Sequence, residues 1–483
     1  MKRSPLGEGF NSHKKPKTRR RPTQWIPQKK TLRKLGSAAK REQRLLCQFG
    51  ATLKTCFPHW QDWLNAIEDP RDPLKCSYTL PDLLWMSLLM LLAGLESRNQ
   101  FNQNLCTEET QTLLQNTLGL KLPSLPHGDT LAYLWKQLPP EAFDTLRTAM
   151  IRTLLRSRRL EAFRYRKQFY ILALDGTELY RWNERHCDQC LHAATGPNKK
   201  LQYYHRVLEL KLVSHDGLAL SVLTEFIENT GGPDDKQDCE LKAAYRLLKR
   251  LKELCPQLKI LLLADGIYPN GPIFRLCQDS DWKYLFSLQD ESLKTVWQDF
   301  EALINMPLNA LGVKDPDPIL DVGNRRYRWQ NALSYQGEQF DGLVNVMDVL
   351  KPNEQGVLER CRGFISNLRL SEQRIQEIET LAQQRWKIEN QGFDVQKRHG
   401  YALEHVWCRD PNAMKIVYLL IQIAHLLNQL MLKADLLGAF RELGSLKTYY
   451  NQWLLTLTQS WTPTLEQMWG YSQSCTYQIR WQI

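Results

Sequence analysis

The chain has 483 residues, of which 43% are apolar and 10% aromatic. That composition excludes a mainly disordered protein and is enough for about three domains at roughly 150 residues each. Lys and Arg outnumber Asp and Glu by 64 to 52, a net charge of +12, so a polyanion is the natural partner of whatever segment carries the excess.

That segment is the N-terminus. Residues 1–44 hold 15 basic residues and two acids, Glu8 and Glu42, a net of +13, whereas the remainder holds 49 bases and 50 acids, a net of −1. Lys14, Lys15, Arg19, Arg20 and Arg21 form its densest part. Such an arm is expected to be disordered alone and to bind nucleic-acid phosphates through counterion release, or else to act as a solubilising tail. No apolar stretch follows the basic start, so a secretory signal is not expected.

Residues 45–165 read as a helical block. Leu83 to Leu95 is apolar except for Ser87 and Gly94. It is shorter than the roughly 20 residues a membrane span needs, and it reads as a buried helix opened by Pro81-Asp82. From about residue 167 the period shortens. Tyr170 to Leu174 is a buried strand ending at Asp175-Gly176. Leu208, Leu210 and Leu212 alternate with Glu209 and Lys211, the pattern of a half-buried strand. Asp216-Gly217 signals a hairpin whose partner is 218–226. A helix over 236–254 leads to a second buried strand, Ile260 to Ala264, which ends at Asp265-Gly266. Residues 283–288 add a strand, residues 320–350 read as inserted β structure, and residues 364–368 form one more strand. A long helix from Ser371 carries Arg385, Glu389 and Phe393 at i, i+4 and i+8, and residues 413–440 form a further helix.

The predicted divisions are an arm (1–44), a helical domain (45–165), which the resemblance given below implies binds DNA ends, an α/β core in two parts (166–290 and 361–440), a β-rich insertion (291–360) and a helical tail (441–483). Functional groups collect at the carboxyl ends of strands in α/β folds. If Asp175, Asp265 and Glu389 converge there, cations must neutralise them. Oxygen ligands at that density suit Mg²⁺ or Mn²⁺. Pattern alone also allows two ordinary Asp-Gly turns and a surface Arg385/Glu389 pair.

The twelve cysteines are mostly scattered, and a reducing compartment is expected. Cys187 and Cys190 make half of a zinc site. His192 and His205 would complete it, with His186 set aside because it adjoins Cys187; two free buried thiols are the alternative. No phosphate-binding glycine motif is present, which disfavours nucleotide hydrolysis.

Several stretches carry a resemblance. They are Leu174-Asp175-Gly176-Thr177, Tyr203-Tyr204-His205, Lys236 to Lys242, Leu263 to Tyr268, and Arg385-Trp386-Lys387-Ile388-Glu389-Asn390 running on to Phe393. Together they resemble bacterial insertion-sequence transposases of the DDE superfamily. In a related signature, Tyr-x2-Arg-x3-Glu-x6-Lys, Arg385 and Glu389 fit, while Ala382 and Gln396 stand where Tyr and Lys are expected.

The resemblance implies a ribonuclease H-like mixed sheet flanked by helices. It implies Asp175, Asp265 and Glu389 as catalytic residues holding two Mg²⁺ or Mn²⁺ ions. Arg385 would orient Glu389 or touch a phosphate, and Lys397 and His399 would face the DNA backbone. Trp386 would be a core residue or a platform for a base, the core reading being preferred. The implied partners are double-stranded DNA, as transposon ends and target, and a second copy of the chain in a synaptic dimer. The implied location is cytoplasmic and nucleoid-associated. A catalytically silent DNA-binding protein and a cutting-only nuclease are the rival readings.

Overall fold

The computed structural model describes residues 38–196, 199–229, 237–306, 318–433 and 445–458. Lys14, Lys15, Arg19, Arg20 and Arg21 lie outside them. The arm ends earlier than expected, because helix α1 already runs Ala38–Cys56.

Helices α2 (Trp60–Asn65), α3 (Leu80–Leu92), α4 (Arg98–Asn104), α5 (Glu108–Leu118), α6 (Gly128–Trp135) and α7 (Pro140–Arg156) complete the N-terminal block. The apolar run reads directly into structure at α3. Thr79 caps it by accepting from the Asp82 N–H at 3.3 Å, Pro81 sits in the first turn, and its other residues are buried. Both choices satisfy or avoid the unpaired donors of a helix start.

Among the described residues the strands form one mixed sheet. They are β1 (Arg164–Tyr165), β2 (Phe169–Trp182), β3 (Leu191–Thr195), β4 (Lys200–Val213), β5 (Ala219–Ile227), β6 (Ile260–Ala264), β7 (Lys283–Ser287), β8 (Ile319–Val322), β9 (Arg325–Gly337), β10 (Phe340–Pro352) and β11 (Leu358–Ser366). Their order is β3-β4-β2-β6-β7-β11-β10-β9-β8, with β5 on β4 and β1 on β2. The β2–β6 and β6–β7 pairs are parallel and the others antiparallel. Helices α8 (Glu240–Leu254), α9 (Gly271–Asp279) and α10 (Lys294–Ile304) lie between strands in the sequence. After β11 come α11 (Ile375–Gln383), a π-helical turn (Ile388–Phe393), α12 (Asp394–Arg398), α13 (Pro411–Lys433) and α14 (Leu446–Thr458).

The strand period of two divides the sheet between two cores. Leu172, Leu174 and Leu262 face a core shared with α1–α10, α13 and α14. Ile171, Ala173, Leu261 and Leu263 face a second core closed by Ile375, Ile378, Leu381, Ile388 and Phe393. The stretch Pro411–Leu432 within α13 is long and apolar enough to cross a membrane, but 89% of its most apolar window is buried within the protein. It is a core helix.

Four expectations change. Asp175 does not end its strand; β2 continues seven residues past it to Trp182. Glu209 and Lys211 are fully buried rather than solvent-facing, because β4 is covered on both faces. The β-rich insertion is not a separate body: β11 pairs with β7 and extends the core sheet through β10, β9 and β8. The long helix expected from Ser371 is broken, since α11 ends at Gln383 and Glu389 sits in the π-helical turn.

Candidate active site

Sheet register brings the first two acids level. The β2–β6 ladder pairs Tyr170 with Ile260 and Ala173 with Leu263, a constant offset of 90 positions. Carried two residues further, that offset sets Asp175 opposite Asp265. The strand period puts both on the side of Ala173 and Leu263, the side closed by α11 and the π-helical turn. Each carboxylate is steadied locally: Asp175 Oδ1 accepts from the Gly176 N–H at 2.8 Å, and Asp265 Oδ1 from the Ile267 N–H at 3.0 Å.

The glycines after both acids have a packing reason. A Cβ on Gly176 would lie 2.5 Å from Glu240 Oε1, and one on Gly266 would lie 2.6 Å from Gln289 Cγ. Glu240, at the start of α8, accepts from the Tyr268 hydroxyl and pairs with Arg206 at 2.6 Å. A second layer of polar groups therefore presses on the acid-bearing backbone.

Glu389 reaches the same place from the π-helical turn, a form rare in proteins and frequent at functional sites. The Arg385 guanidinium lies between the acids, with Nη1 3.3 Å from Asp175 Oδ2 and 2.7 Å from Glu389 Oε1. It also stacks on Trp386, 4.7 Å from the ring centroid. Trp386 is 52% exposed, which corrects the preference for a core tryptophan. It borders an open cavity of about 360 Å³ that is also lined by Gln289, Arg360, Arg362 and Phe364.

Burial above all, then the neighbouring Glu389 and Asp265 carboxylates, pushes Asp175 up to about 7 against the opposing pull of Arg385. Two acids that raise the protonation of a third are a site short of positive charge. Asp175, Asp265 and Glu389 form a hard-oxygen donor set that could hold a divalent cation. Lys397 pairs with Glu404 at 2.8 Å, and His399 lies 3.7 Å from Asp394. Gln396, in the place of the expected lysine, is fully buried and bonds Gln422 and His425.

A separate group sits beyond the far end of β2. His186, Cys187, Cys190 and His205 offer ligand atoms that all lie within 4.8 Å of one another. The expected member His192 is not among them: its N–H donates to Gln237 Oε1 at 2.7 Å, and its ring lies 6.2 Å from Tyr203. His186 takes its place because the loop turns back at Cys187, where the Cys190 N–H bonds the Cys187 carbonyl, and because its ring rests on Trp182 at 3.8 Å.

Residues 166–427 match the transposase DDE domain family, and residues 61–150 match the family described as DDE_Tnp_1-associated. The chain belongs to the transposase DDE domain family. The matched span runs from just after β1 into α13 and contains all three acids, so for this DDE transposase β8–β10 fall within the family domain. The mixed sheet with flanking helices and an N-terminal helical region agrees with the ribonuclease H-like fold. No curated protein matches the chain. His186, set aside on sequence because it adjoins Cys187, belongs to the cluster, and Glu240, Tyr268 and Gln289 carry no signal of a role in the sequence pattern. Glu240 and Tyr268 do lie inside the stretches that carry the family resemblance.

Proposed function

We propose that this transposase cuts DNA at the ends of an insertion sequence and joins the freed strand to target DNA, with Asp175, Asp265 and Glu389 as the catalytic, metal-holding residues. The shared register of Asp175 and Asp265, with Arg385 joining Asp175 to Glu389, carries this reading. Mg²⁺ or Mn²⁺, two ions per site, would supply charge neutralisation and lower the pKa of a bound oxygen nucleophile.

The chain's residues bind and orient. Asp175 and Asp265 present carboxylates from adjacent strands, and Glu389 closes the site from the opposite side. Arg385 supplies the positive charge the acids need in the free protein. With cations held by the three acids, the Arg385 guanidinium would be free to reach a DNA phosphate, which suits its fork of donors.

In cleavage, water attacks phosphorus, the P–O3′ bond breaks, and the 3′ oxygen leaves with a proton as a hydroxyl. In joining, that hydroxyl attacks a target phosphodiester: one P–O bond forms, one breaks, and no nucleotide hydrolysis is required. Lys397 and His399 would border the backbone path, with Lys397 exchanging Glu404 for phosphate. The basic arm, including Lys14, Lys15, Arg19, Arg20 and Arg21, would hold flanking duplex. The site would act within a homodimer on paired ends, in the cytoplasm with the nucleoid.

The test uses DNA carrying the gene's own flanks, purified protein, Mg²⁺ or Mn²⁺, and Asp265→Asn beside the wild type. Strand-specific cleavage followed by joining, both lost in the variant, is expected. Cleavage without joining would make the protein a nuclease. Binding without cleavage, unchanged by Asp265→Asn, would make it a catalytically silent DNA-binding protein.

A further inference from the structure

We propose that His186, Cys187, Cys190 and His205 form a structural zinc centre that pins the loop after β2 to β4. The four ligand atoms lie within 4.8 Å of one another, a cluster that small shifts would close into a tetrahedral site. Cys187 Sγ lies 3.4 Å from Cys190 Sγ and 3.2 Å from His205 Nε2, and Cys190 Sγ lies 3.1 Å from His186 Nδ1 and 3.6 Å from His205 Nε2. Ligands around one Zn²⁺, with Zn–S near 2.3 Å and Zn–N near 2.0–2.1 Å, stand roughly 3.3–3.8 Å apart along the edges of the tetrahedron. The sulfurs are too far apart for a disulfide, whose S–S bond is about 2.05 Å long, and both thiols are free.

The surroundings suit a closed structural site. Cys190 and His205 are buried at 1% and 2% exposure, and His186 and Cys187 are half-buried. Four protein ligands fill the tetrahedron and leave no position for water, which distinguishes a structural site from a catalytic one. Two thiolates and two neutral imidazoles around Zn²⁺ sum to zero charge. The Arg409 and Lys415 cations beside His186 and His205 therefore meet no net positive centre. Soft sulfur with imidazole in this geometry selects zinc over the hard cations of the acidic site.

The centre has mechanical work to do. Between Trp182 and Leu191 the chain leaves the sheet, and few backbone bonds hold it: Cys190 N–H to Cys187 O, Asn229 N–H to Gln189 O, and the Arg185 side chain to the Cys187 and Asp188 carbonyls. A ligand from β4 and three from this loop make the ion the joint between them. β2 is the strand that carries Asp175, but the joint lies beyond Trp182, at least seven residues away and roughly 20 Å along the strand. Its role is to hold the hairpin and not to take part in chemistry.

Metal analysis of the full chain, purified without chelator, tests the proposal. About one zinc per chain is expected. The Cys187→Ser and His186→Ala variants should lose it, while His192→Ala and Asp265→Asn should keep it. Asp265→Asn separates this centre from the acidic site, so failure of either reading leaves the other standing. If the ligand variants do not fold, wild-type protein loaded with Co²⁺ gives the answer: tetrahedral d–d bands and thiolate-to-cobalt charge transfer are expected. Zinc near zero with no tetrahedral cobalt spectrum, a Cys187–Cys190 disulfide by mass spectrometry, or loss of zinc in His192→Ala with retention in His186→Ala would overturn it.

Discussion

Burial and two neighbouring carboxylates leave Asp175 poised near neutrality, and this sets a pH dependence. Its folded pKa, about 7, lies above its ordinary value of 3.8. The stability it contributes is therefore complete below pH 3.8 and is lost as pH rises through about 7. In EDTA, Asp175→Asn should be more stable than wild type, with a urea-measured gap that grows from pH 5.5 to 8.5. The value of about 7 already includes the opposing pull of Arg385, so the gap should level off above that pH at about 4 kcal/mol. A gap that shrinks with pH would refute the cause assigned here. With Mg²⁺ or Mn²⁺ the order reverses, because the cation binds only the ionised carboxyl. Apparent metal affinity should rise with pH across the same window, and Asp175→Asn should lower DNA cleavage by more than ~10²-fold, a loss that even disturbing the supports of a metal ligand can cause. Much of this site was legible in the residues themselves. The 90-position spacing of Asp175 and Asp265 equals the register offset of the strands that carry them. The place of His186 in the Cys/His cluster was not legible, since adjacency to Cys187 keeps the two side chains apart only if the chain runs straight there, and it turns. Nor was the exposure of Trp386, which depends on where the helical period breaks.

Helix and strand were readable from periodicity at the scale of elements, but partners were not. Residues 320–350 read as β structure and hold β9 and β10, yet nothing local to them encodes that β11 would attach to β7 and continue the sheet. Glu209 and Lys211 looked like a wet face because their alternation is that of a half-buried strand. Their burial follows from α13, which brings Tyr418 and Gln422 to bond them. The π-helical turn is similarly invisible in spacing, because Arg385 and Glu389 remain four apart and still pair. The approach of α8 to β2 yields a prediction here. Gly176 leaves room for the Glu240 carboxylate, and Gly176→Ala should destabilise the protein by about 1–3 kcal/mol, the usual range for overpacking. It should also reduce cleavage by displacing the backbone of Asp175. Glu240→Ala removes the obstructing group, so a double-variant cycle by urea unfolding should show the pair to be less destabilised than the sum of the two single changes. Simple additivity would mean that the two residues do not press on one another.

Across the whole molecule, one buried charge cluster joins the helical block to the sheet. Arg147 on α7 is fully buried; it bonds Ser221 at 2.7 Å as well as Asp144, and stands 3.6 Å from Glu209. Glu209 in turn accepts from the Tyr418 hydroxyl at 2.8 Å and lies 3.8 Å from Lys211 Nζ. The helical block and the sheet thus share apolar contacts and a set of charges that cannot be left unpaired. Arg147→Met should cost about 3–5 kcal/mol, the range for breaking a buried pair, and circular dichroism and tryptophan fluorescence should still report one coincident unfolding transition. Two separated transitions would show that the block is an independent domain. The charge outside this body is distributed differently. Removing residues 1–37 takes away 12 basic residues and Glu8, a net of +11, and leaves the remaining chain at 12 − 11 = +1. A body so nearly neutral gains little from counterion release, whereas each phosphate held by the arm contributes about 0.9 to the slope of log affinity against log salt. The shortened chain should therefore bind duplex DNA more weakly at low salt, and its salt slope should fall by several units in a titration from about 50 to 200 mM salt. An unchanged slope would move the DNA path from the arm onto patches of the folded surface.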